Sequence, residues 1–129
     1  MITDNHYHNS LLFLSYLIMS VDGIVDDDER KAIKKICEFE NITESSFKSF
    51  MEVADNLAEK QIYEAGIDEI SNCTDEEKLR VFAWLHRISE ADGHVHVKEV
   101  RFLLYSIKKA GIEFNEVLKT SASLPSLLS

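Results

Sequence analysis

The chain has 129 residues, 45% hydrophobic and 29% charged, the proportions of one soluble globular domain with a buried core rather than a disordered segment. Four glycines and one proline are too few for the many turns of an all-β fold. A formal charge of −9, from 23 acids against 14 bases, disfavours nucleic acid and suits cations, a basic partner protein or plain solubility.

Hydrophobic periodicity predicts helix throughout. A first helix runs from about Asn5 to Val21, and its apolar residues from Leu11 to Met19 cover most of its circumference, as in a central helix. The stretch Leu11 to Val21 is about half the length that spans a bilayer, and "MITDNHYHN" before it has no Lys or Arg. It therefore reads as a core helix and not as a membrane span or a signal peptide, and the expected location is the cytoplasm. Asp22-Gly23 ends this helix, because glycine accepts the left-handed turn.

The second helix starts near Asp27, with Asp26 as N-cap and Glu29 completing a capping box. Ala32, Ile33, Ile36, Cys37 and Phe39 form its buried stripe, while Arg30, Lys31, Lys34 and Lys35 face water. "ENI" stops it, with Asn41 left-handed and Ile42 folding back as an apolar contact. Thr43 opens a third helix that carries Phe47, Phe50, Met51 and Ala54 on one face. A fourth, from about Ala58 to Ser71, carries Ile62, Ala65, Ile67 and Ile70, and Gly66 weakens its middle.

"TDEE" at Thr74 to Glu77 is a capping box for a fifth helix that ends at Ala91 and buries Val81, Trp84, Leu85 and Ile88. Asp92-Gly93 ends that helix, and another is expected from Val97 to Ala110. A short last helix from about Phe114 to Ala122 leads into a leucine-containing tail that either docks or frays. Residues 1–129 thus form one all-α domain of six or seven helices, with 114–129 as its final helix and tail. Cys37 and Cys73 form no CxxC motif and sit among apolar positions, so both are expected to be buried, reduced thiols.

The chain repeats one device. "VDGIVDDDE" at 21–29 and "ADGHVHVKE" at 91–99 share the skeleton D-G-x-V-x-x-x-E, seventy residues apart: Asp22, Gly23, Val25 and Glu29, then Asp92, Gly93, Val95 and Glu99. The helices before the two corners, 5–21 and 75–91, are expected to pack together about a pseudo-twofold axis, which can bring the corners together.

Two explanations compete. In the structural one, Asp22 and Asp92 bond their own turns while Glu29 and Glu99 cap helices, leaving an adaptor without a ligand. In the functional one, the oxygens converge on a hard divalent cation. Each corner matches the back half of an EF-hand loop, but the first ligand positions fall on Ile18 and Ile88 and the third on Ser20 and Glu90, so neither loop is complete. Asp22, Glu29, Asp92 and Glu99, aided by Asp26 or Glu90, can enclose one ion, and metal relieves the repulsion among these carboxylates. Calcium or manganese fits the carboxylates; zinc or nickel fits if His94 and His96 take part. His6 and His8 point apart at a helix start, and His86 reads as packed beside Trp84.

These residues carry a resemblance. A helix ending in "SVDG" or "EADG", then V-x-x-x-E opening the next, and the same again after about seventy residues, resembles the TerB-like tellurite-resistance family over roughly 8–115. That family is also found fused in membrane-anchored J-domain co-chaperones. The resemblance implies a helical cytoplasmic module that binds divalent metal through the paired motifs and acts in stress-response complexes. It gives Asp22, Glu29, Asp92 and Glu99 the metal role. The chain departs from it in having Asp27-Asp28 and Val97-Lys98 where proline often precedes the motif glutamates, and in His94 and His96. A non-catalytic metal-binding interaction module, with a protein partner and no nucleic acid or membrane insertion, is the expectation. Catalysis ranks below it: a carboxylate-bridged redox helix bundle needs E-x-x-H pairs, which are absent, and for a metal-dependent hydrolase or other enzyme no activated cysteine or G-x-S-x-G occurs either.

Overall fold

The computed structural model describes residues 5–20, 27–91, 100, 112–125 and 127. Those residues form six α-helices and no strand: α1 His6–Met19, α2 Asp27–Phe39, α3 Glu44–Ala54, α4 Glu59–Ser71, α5 Asp75–Ala91 and α6 Phe114–Ser123. The expected helix 97–110 lies outside them apart from Val100, which is fully buried.

Helix α1 is the centre of the domain. From Tyr7 to Met19 only His8 escapes full burial, and Leu11, Leu12 and Leu14 are at most 1% exposed. Each such leucine stabilises the fold by about 1.5–3 kcal/mol relative to an exposed one. The helix needs neighbours all round, and α2, α3, α4 and α5 supply them. Asn5 caps it by accepting the His8 N–H at 3.1 Å.

The broadest packing is between α1 and α4. Gly66 permits it: a Cβ there would lie 2.6 Å from Leu14 Cδ2 and 3.4 Å from Phe13 Cβ. The glycine that weakens the fourth helix as an isolated segment is therefore what lets the two helices approach. His6 meets Glu69 near the far end of α4, so α4 runs back along α1.

Helix α2 also runs against α1. Its first turn lies near Tyr16, whose hydroxyl donates to Asp55 Oδ1 at 2.8 Å while Arg30 donates to the same carboxylate at 3.1 and 3.2 Å. Its last turn lies near Tyr7, beside Glu40. Asn41 has φ 61°, and Ile42, 6% exposed, donates its N–H to Cys37 O at 2.8 Å, the closing bond of a left-handed cap. Phe39 departs from the expected stripe. It stands 49% exposed with its ring against Trp84, because it lies at the edge of the helix where α5 begins to cover it.

At the start of α5, Thr74 N–H donates to Glu77 Oε1 at 2.9 Å and Glu77 N–H to Thr74 Oγ1 at 3.1 Å, the reciprocal box expected from "TDEE". Arg80 and Glu77 in the first half of α5 neighbour Tyr7 and His8, so α1 and α5 begin at the same end of the bundle and pack side by side. The tail docks. Leu124 and Leu127 are 4% and 8% exposed, and Leu124 O accepts from Arg87 Nη2 at 2.9 Å.

Candidate functional site

Of the residues expected at the acidic corners, Glu29 and Glu90 are described; Asp22, Asp26, Asp92, His94, His96 and Glu99 lie outside the described residues. Glu29 stands in the first turn of α2 with Asp27 and Asp28. Three acids there favour the positive end of the helix dipole. Asp27 and Asp28 face solvent, but Glu29 is only 9% exposed. A carboxylate turned inward at the entrance to a helix needs partners that its exposed neighbours do not.

Glu90 lies one residue before the end of α5, and its carboxylate is held on its own helix. Arg87 Nη1 donates to Oε1 at 3.0 Å, and His86 Nδ1 lies 3.5 Å from the same oxygen. To join a metal at the second corner it would have to leave Arg87. Among the described residues there is no group of three or more His, Cys, Asp or Glu side chains placed to hold a metal ion.

The histidines go separate ways, as a helix start requires. His6 Nδ1 lies 2.6 Å from Glu69 Oε2 on α4. His8 turns to Glu40, and burial lowers its pKa against the pull of that carboxylate. His86 is packed, with Nδ1 3.1 Å from Ser121 Oγ and its ring edge-on to Phe114.

Both cysteines are free and buried. Burial first, and the Glu38 carboxylate second, push the Cys37 thiol up to about 12. Burial likewise raises Cys73, whose sulfur lies 3.6 Å from Ser10 Oγ and 3.6 Å from Glu69 O. Both shifts run opposite to those of an activated thiolate.

The sequence reading missed a polar centre. Glu40 Oε2 accepts from Arg80 Nε at 2.7 Å and from Trp84 Nε1 at 2.8 Å, with a side chain 9% exposed. Tyr7 lies beside this group, and burial and the Glu40 charge raise its pKa while Arg80 opposes them. A signal was available: a tryptophan in a fully buried stripe must find an acceptor for its indole N–H. Asp55 is a second such centre, joining Tyr16 and Arg30 from different helices.

Among the described residues no helix is long and apolar enough to cross a membrane. The family model described as Tellurite resistance protein TerB matches residues 8–117. No curated protein and no solved structure matches the chain.

Proposed function

The chain belongs to the TerB family of tellurite resistance proteins, and from that premise we propose that it is a non-catalytic, cytoplasmic metal-binding interaction module. Asp22 and Glu29 from one corner and Asp92 and Glu99 from the other hold a divalent cation, with Asp26 as an auxiliary ligand. Calcium or manganese is the ion for carboxylates alone; zinc or nickel is the ion if His94 and His96 contribute. Loaded or empty, the acidic corners engage a protein partner with basic side chains in a stress-response complex.

The observation that carries this reading is the extent of the family match. Residues 8–117 take in both copies of D-G-x-V-x-x-x-E, at 22–29 and 92–99. Two features of the fold support it. Glu29 is a nearly buried carboxylate beside an acidic run, and α1 and α5, which lead into the two corners, start together and lie side by side.

A structural reading, in which the acids only cap helices, draws on Thr74 and Glu77, where this chain does use an acid in that way. Calorimetry with Ca²⁺, Mn²⁺, Zn²⁺ and Ni²⁺ separates the two. The metal reading expects saturable heat and a rise in melting temperature for one of these ions, both lost in Asp22→Asn with Asp92→Asn. Equal heats and equal melting for wild type and that double variant, with or without chelator, leave only the capping role.

A further inference from the structure

The chain beyond the family match is tied to α5 by polar bonds as well as by packing. The match ends at residue 117, within α6, and α6 packs against α5. Past that point Ser121, Leu124 and Leu127 turn inward, at 1%, 4% and 8% exposed. Two successive side chains of α5 hold this segment. His86 Nδ1 lies 3.1 Å from Ser121 Oγ, and Arg87 Nη2 donates to Leu124 O at 2.9 Å. A hydroxyl so deeply buried needs a partner, and so does a carbonyl at the end of a helix.

Both holding side chains converge on one oxygen. Glu90 Oε1 accepts from Arg87 Nη1 at 3.0 Å and lies 3.5 Å from His86 Nδ1. Arg87 Nε is buried with no hydrogen-bond partner among the described residues. The guanidinium therefore bridges two anchors, one on its own helix and one in the tail, and its orientation depends on both. Its planar fork is what lets one side chain reach two acceptors in fixed directions. Glu90 is open to solvent, its side chain 40% exposed against 18% for Arg87 and 16% for His86. The latch thus has a dry side, facing the tail, and a wet side, two residues before Asp92 in the second acidic motif.

We propose that the segment carrying Ser121, Leu124 and Leu127 is a strap over α5 that opens separately from the rest of the domain. Glu90 is its positioning residue, setting Arg87 and His86 to hold the strap shut. A short helix laid on one neighbour opens at lower cost than the core beneath it. A cation or a basic side chain that claims the Glu90 carboxylate removes one of the two anchors of Arg87 and loosens the strap. That consequence rests on the proposed function of the corners; the strap and its latch do not.

Lys119 is exposed in α6, so tryptic cleavage after it, read by mass, reports opening of the strap alongside amide exchange. The full chain is used with chelator present, which leaves the metal reading to calorimetry. In wild type, α6 amides are expected to exchange faster than those of α1 and to respond little to low urea, because local opening exposes little surface. Glu90→Ala is expected to speed cleavage after Lys119 and exchange in α6 by about two- to fivefold, the scale of a half-exposed ion pair. Glu90→Gln, which keeps an oxygen for Arg87, has a smaller effect. Arg87→Ala speeds both by about tenfold or more, the scale of a hydrogen bond to a charged group. In that background Glu90→Ala adds less than it does alone. Exchange of α6 and α1 at one rate with one urea dependence overturns the proposal. So does Glu90→Ala without effect on either readout, or with its full effect when Arg87 is already gone.

Discussion

The indole N–H of Trp84, a residue with no exposed surface, donates to Glu40 Oε2 at 2.8 Å, across 44 positions of sequence. Glu40 is the residue immediately after α2, so this bond fixes the end of that helix on the flank of α5. Arg80 shares the same oxygen at 2.7 Å and keeps the carboxylate charge balanced where water is scarce.

Removing that acceptor leaves a buried indole N–H without a partner. Glu40→Ala is expected to lower stability by about 1–3 kcal/mol, and Glu40→Gln, which retains an amide oxygen, by less. Urea unfolding followed by Trp84 emission measures both. Equal losses for the two variants would show that charge, and not the hydrogen bond to Trp84, is what matters.

Gly66→Ala tests the α1–α4 approach. In an open helix the change stabilises by about 1 kcal/mol. Here the new methyl meets Leu14, which is fully buried and cannot swing out, so overpacking of about 1–3 kcal/mol outweighs the gain. The expected outcome is a lower melting temperature, partly restored when Leu14→Val is added. A variant more stable than wild type would mean that the two helices slide apart easily.

The capping box at Thr74 offers a smaller, local test. Thr74→Ala is expected to lower stability by about 1 kcal/mol. Glu77→Ala should add less than its full single effect on top, since the two side chains cap one helix end reciprocally. A double-variant cycle that sums without coupling would contradict the geometry at 2.9 and 3.1 Å.

Stability should fall on the alkaline side. Burial pushes the Cys37 thiol from its ordinary 9.0 to about 12. Burial, then the hydrogen bond to Asp55, pushes Tyr16 from 10.0 to about 12. In both cases the folded protein keeps a proton that the unfolded chain releases. The contribution is therefore complete below about pH 9 and is lost as pH rises from there towards 12. Denaturation midpoints across that range check it, and replacing both buried thiols, Cys37→Ala with Cys73→Ala, should move the onset upward towards the tyrosine range. A flat profile past pH 10 would show that neither group is shielded as placed.

Leu124→Ala probes the docked tail. This side chain is 4% exposed, and its own carbonyl is tied to Arg87. A cost of about 2–5 kcal/mol is expected if the tail is part of the core, together with faster amide exchange in α6. A cost near zero would mean that the last turn frays in solution.

The all-helical fold, the starts of α2, α3, α4 and α5, and the left-handed Asn41 were legible in the chain because each depends on neighbours within about one turn. A Thr followed three residues later by Glu satisfies local backbone groups whatever the rest of the protein does. The family was legible for a similar reason: the doubled Asp-Gly motif is a short pattern at fixed spacing. The candidate metal ligands could be named from that pattern, but their convergence could not be derived from it. Glu90 shows why, since its carboxylate went to Arg87 on its own helix.

What sequence alone determined about this protein is its class, the starts of the described helices and its family, all of which follow from short-range chemistry and repeated motifs. Tertiary structure alone decided the meaning of Gly66, the exposure of Phe39, the docking of the tail and the pairing of Glu40 with Arg80 and Trp84. Each of these rests on side chains many positions apart meeting in space. No local propensity encodes such meetings, because they are settled by how whole helices fill volume against one another.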